Sequence, residues 1–202
     1  MRRGREALLL LLAAAAFGAL VAAVKGQDTG VRDALGNTSA PWVLVPFLAG
    51  ARYPRIWQAA LVGVATTLAA FLGFYLAEAA VLDLGPHSWT TDLRLTLSSG
   101  NVYEKWGILS GLVYGILGGL WASRRFPAAP VAVGLAFVAE PAIVFVLWKA
   151  GIWGGGDLLL RYPWMWAAEL AIGLSCIAFG VLSARSAPPG RLRNASHRGS
   201  QE

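Results

Sequence analysis

Apolar residues gather into six runs, at about 7–24, 40–51, 56–80, 106–122, 128–149 and 162–184, and polar or basic stretches separate them. A membrane-crossing helix needs ~20 apolar residues, and five of these runs approach or exceed that length. The first run follows MRRGRE and shares its basic start and apolar core with signal peptides. Five further runs follow it, so it reads as a retained first helix. The second, APWVLVPFLAGA, has 12 residues. As a helix it would rise ~18 Å, well short of a hydrocarbon core ~30 Å thick. It is expected to be short, tilted or re-entrant, with Pro41 in its first turn after a cap at Asn37, Thr38 or Ser39, and with Pro46 removing one internal hydrogen bond. Backbone groups freed at that depth need protein or water around them, so this element should line the bundle interior. The pattern predicts an all-α fold, a polytopic membrane helix bundle of about six spans with a short or discontinuous second element. The bundle would occupy residues 1–185, and 186–202 would form a disordered basic cytoplasmic tail. The outer connection 81–105 contains LRLTLSS, which alternates and reads equally as a short strand or an interfacial amphipathic piece.

Composition agrees with a lipid setting. Hydrophobic residues make up 56% of the chain and charged residues 14%, and the mean hydropathy is +0.56, beyond what a soluble domain of ordinary composition reaches. The net charge of +6 does not point to nucleic acid, because the basic residues fall at the ends of apolar runs instead of forming a patch with base-stacking aromatics. With the N-terminus inside, the cytoplasmic side takes Arg2, Arg3, Arg5, Arg52, Arg55, Arg124, Arg125, Arg185, Arg191, Arg193 and Arg198, eleven in all. The other side takes Lys25, Arg32, Arg94, Lys105, Lys149 and Arg161, which is six. The positive-inside rule then places both termini in the cytoplasm of a multi-pass cell-membrane protein. Most of the nine tryptophans, Trp42 among them, fall near the predicted interfaces as anchors. GLVYGILGG in the fourth run has the small-residue spacing of close helix packing. Cys176 stands alone, His87 and His197 lie far apart outside the runs, and there is no diphosphate-magnesium, P-loop or HExxH motif, so neither a metal nor a cofactor is expected.

Three acids sit inside apolar runs: Glu78, Glu140 and Glu169. An ionisable group at membrane depth costs ~2.5 to 3.5 kcal/mol on insertion scales and usually faces the interior, where it often marks function. Glu78 lies near the outer end of its run, where an interfacial role is an equal reading, and a buried structural hydrogen bond is the alternative for the other two. Three residues before each acid stands an aromatic, Tyr75, Phe137 and Trp166, which shares its helix face. Pro141 cannot donate to the carbonyl of Phe137, so a polar niche is expected beside Glu140. Burial there favours a neutral acid, which can donate a proton. Phe74, Tyr75, Tyr114, Phe137 and Trp166 could wall an apolar cavity whose ring faces steady a cation.

A small multi-spanning chain without a diphosphate motif, carrying Glu78, Glu140, Glu169 and these aromatics, resembles the membrane-bound terpene cyclases that act on prenylated indoles in actinobacterial and fungal secondary metabolism. The resemblance lies in overall build, and six spans departs from the seven of the fungal members. It implies that Glu140 or Glu169 protonates a terminal alkene or epoxide of a lipophilic substrate such as a farnesylated indole. Aromatic rings would then stabilise successive carbocations, and a second carboxylate or a water would take the final proton, with no cofactor. Two other readings remain open. One is a small-solute transporter or substrate-binding membrane subunit; the other is a non-enzymatic protein whose acids fix helix packing.

Overall fold

A computed structural model describes residues 2–25, 30–81, 90–91, 94, 98, 101–152 and 161–186. Among them every regular element is a helix: α1 (Arg2–Lys25), α2 (Val31–Gly36), α3 (Ala40–Gly50), α4 (Ile56–Val81), α5 (Asn101–Ala122), α6 (Ala129–Lys149) and α7 (Pro163–Arg185). Four of these, α1, α4, α6 and α7, contain stretches long and apolar enough to cross a membrane. α5 has 22 residues, ~33 Å at the helical rise, but opens with Asn101, Glu104 and Lys105. The reading of LRLTLSS and of the tail falls largely or wholly outside the described residues.

The apolar runs became helices close to their own limits because nothing inside most of them interrupts the backbone pattern. Pro130 and Pro163 stand in the first turn of their helices, where the missing N–H has no intrahelical partner to lose. α6 continues through Pro141. α3, 11 residues long, is as short as its run suggested. The short α2, not anticipated from the sequence, packs Ala34 against Val144, Met165 and Trp166.

Small residues set the helix spacing. α1 lies beside α4 with Gly18 against the backbone of Ala70 and Gly73 against that of Ala15. α5 runs along α3 and α4, with Gly115 facing both Gly50 and Gly63. A side chain at these points would meet backbone, so the helices approach as closely as they do because nothing projects between them. α6 and α7 pair antiparallel through Gly134 and Gly173. The spacing expected of GLVYGILGG is therefore used, through Gly115, Gly118 and Gly119.

The candidate carboxyl site at the start of α3

α3 starts between other helices, so its first N–H groups, which no helical carbonyl can accept, have to be satisfied inside the bundle. Glu140 of α6 satisfies them. The N–H of Ser39 donates to its Oε1 and the N–H of Ala40 to its Oε2. Pro41 contributes no third donor. The cap expected from a side chain at Asn37, Thr38 or Ser39 is absent: Asn37 Nδ2 donates to Asp33 at 2.8 Å, and Thr38 Oγ1 donates to the carbonyl of Leu35 at 2.9 Å. A carboxylate 100 residues away in sequence takes the role. Hydrogen bonds to a charged group contribute about 1.5–3 kcal/mol each, and the positive end of a helix favours the anion further.

Glu169 lies next to Glu140 across the α6/α7 contact. Both side chains are buried, Glu140 at 8% and Glu169 at 5% exposure. Their surroundings differ sharply. Both oxygens of Glu140 accept from backbone amides, whereas no backbone or side-chain donor among the described residues reaches either oxygen of Glu169, which meets the Glu140 carboxyl instead. The indole Nε1 of Trp166, one helical turn before Glu169, is also buried without a partner. An unpartnered buried donor and two unpartnered acceptors on one face make this the most polar unsatisfied spot among the described residues.

Glu78 is held elsewhere. It accepts an ion pair from Lys25 at 3.1 Å across the α1/α4 contact, and the Lys25 ammonium also lies 5.5 Å from the ring centre of Phe74. The five aromatics proposed as one wall fall into three groups. Phe74 meets Trp42 of α3 together with Phe17 and Phe71, the ring centres of Trp42 and Phe71 being 5.2 Å apart, and Tyr75 packs behind them on Phe71 and Phe74. Phe137 and Tyr114 pack with Ala40, Phe47 and Val133. Trp166 joins Ala34, Val144 and Met165. Phe137 and Trp166 flank the carboxyl pair through their own helices, and the Trp42 cluster holds the first turn of α3 from the other side.

Sequence reading placed Trp42 among the interface anchors; its ring packs against Phe17, Phe71 and Phe74. The Ser39 and Ala40 amides carry no side-chain signature and could not have been found that way. No group of three or more His, Cys, Asp or Glu side chains is placed to hold a metal among the described residues. No family model, curated protein or solved structure matches the chain.

Proposed function

We propose that this is a proton-coupled membrane protein, a small-solute transporter or substrate-binding membrane subunit, in which Glu140 and Glu169 share one proton. The observation that carries the reading is the Glu169 carboxyl, reached by no donor among the described residues, beside a Glu140 already held by the N-terminus of a short helix that begins inside the bundle. Two adjacent carboxylates cannot both be charged in a low-dielectric interior. Glu140 keeps the charge, because two amides and a helix end stabilise it. Glu169 takes the proton, which can then donate to a free lone pair of Glu140. Paired ionisable groups at depth and helices that begin within a bundle are recurrent parts of ion- and proton-driven carriers. A proton suits the site better than a metal cation: the positive helix end opposes a cation, and only two carboxyl groups meet there.

The orientation follows from the basic residues. Given the helix pairing described above, Arg5, Arg52, Arg55, Arg124, Arg125 and Arg185 fall at one end of the bundle, and Lys25 and Lys149 at the other. The arginine end is the cytoplasmic one, with about six spans and both termini inside. In proteoliposomes holding a pH-sensitive dye under an imposed pH gradient, the reading expects some pool of small solutes to speed decay of the gradient through the wild type but not through Glu169→Gln. Identical decay in wild-type, Glu169→Gln and protein-free vesicles with every pool would sink it.

A second reading, the cyclase, is favoured by one feature: an acid and an indole ring, Glu169 and Trp166, both buried and unpartnered within one turn. Here Glu169, not the capped Glu140, is the proton donor, in a dry site suited to general acid catalysis. Membranes incubated with farnesylated indole would yield a cyclised isomer of unchanged mass with the wild type only. Absence of product from every linear isoprenoid tried removes this reading.

A further inference from the structure

α1 packs on α4, and α3 packs on both α4 and α5, so that α1 and α3 flank α4, whose Thr66 lies at the floor between them on the arginine side of Trp42. Between α1 and α3 the helices leave a groove of about 490 Å³, lined by Leu10 and Phe17 of α1, Val45 and Ala49 of α3, and Trp121 of α5, with Arg52 among its walls. Phe17, edge-on to Trp42 at 5.5 Å, closes the deep end. Arg52 sits just beyond the last turn of α3, exposed, with no ion pair to it among the described residues. We propose that this groove binds one acyl chain of an anionic phospholipid and that Arg52 holds the lipid's phosphate.

An apolar groove open sideways to a bilayer is filled by hydrocarbon, because an empty one would forfeit the contacts of every side chain lining it. That alone would accept any lipid. A guanidinium at the mouth, level with the headgroups when the arginine end faces the cytoplasm, supplies the selection, since its fork matches a phosphate geometrically and its charge favours a lipid with net negative charge. Trp121, stacked on Phe47 at 5.6 Å, gives the groove a rigid wall at the same end. The site is separate from the carboxyl pair, and its test does not depend on the function proposed above.

Native mass spectrometry of the full chain, released from nanodiscs of equal parts phosphatidylglycerol and phosphatidylcholine, reads the outcome. The wild type should retain one phosphatidylglycerol in preference to phosphatidylcholine. Arg52→Gln should lower that retention about fivefold, as expected for one basic side chain at a headgroup, while Arg185→Gln, an equal loss of charge at the same end, should leave it unchanged. Ala13→Phe, at an exposed α1 position near Leu10, should fill the groove and remove the lipid without touching Arg52. Equal retention of both lipids by the wild type overturns the proposal, as does an equal drop in Arg52→Gln and Arg185→Gln. Full retention in a folded Ala13→Phe would overturn the groove itself.

Discussion

Replacing each acid of the pair by its amide separates their roles. Glu140→Gln keeps the shape of the side chain but offers one acceptor and one donor to two amide N–H groups, those of Ser39 and Ala40. One of those N–H groups then faces an NH₂ and is left unsatisfied in a buried site, which costs about 1–3 kcal/mol. Loss of the charge from the helix N-terminus removes roughly 0.5–2 kcal/mol more in a buried setting. The sum is a loss of ~1.5–5 kcal/mol, large against a total stability of ~5–15 kcal/mol. Glu169→Gln takes no acceptor away from a backbone or side-chain donor among the described residues, and its amide NH₂ can donate to Glu140 in place of the carboxylic O–H, so a neutral acid is replaced by a neutral amide. Its expected change is within about 1 kcal/mol. Thermal unfolding of both variants in the same detergent or nanodisc, followed by circular dichroism, reads the difference directly. A Glu140→Gln protein that unfolds at the wild-type temperature, or a Glu169→Gln protein that loses as much as it does, would refute the reasoning.

Three other outcomes follow from the packing. Trp42→Ala empties the ring cluster of Phe17, Phe71, Phe74 and Tyr75 and should destabilise by roughly 3 kcal/mol, seen as a lowered unfolding temperature and as faster proteolysis near Ser39. Glu78→Gln removes a partly exposed ion pair with Lys25 and should shift stability by no more than about 1 kcal/mol and leave proton coupling intact; loss of coupling in that variant would place Glu78 in the mechanism. Gly73→Leu drives a side chain into the backbone of Ala15 and should separate α1 from α4, detected as lost cross-linking between cysteines introduced at Ala22 and Ala79.

Sequence periodicity made the helices legible because a lipid-facing helix needs little besides length and apolarity, and Leu, Ala and Val supply both along α1, α4, α6 and α7. The pairing of Glu140 with Glu169 was half legible. Their depth singled them out, but nothing in a linear pattern places residue 140 beside residue 169, or either beside the start of α3. The decisive partners of Glu140 are two backbone N–H groups, which every non-proline residue has and no motif marks. Pro141 drew attention to the turn of α6 that bears Glu140, and the groups that meet this acid are the amides of an incoming helix end. The aromatic wall misjudged the interior because i, i+3 spacing fixes which face of one helix a ring shares with an acid, and says nothing about which neighbouring helix that face meets.

The shared proton is tested most directly by infrared difference spectroscopy of the purified protein in nanodiscs, comparing wild type with Glu169→Gln at neutral pH. The account predicts a protonated-carboxyl band in the wild type that disappears in Glu169→Gln, while Glu140 continues to absorb as a carboxylate. A wild type with no such band, or a band that survives unchanged in Glu169→Gln, would contradict it.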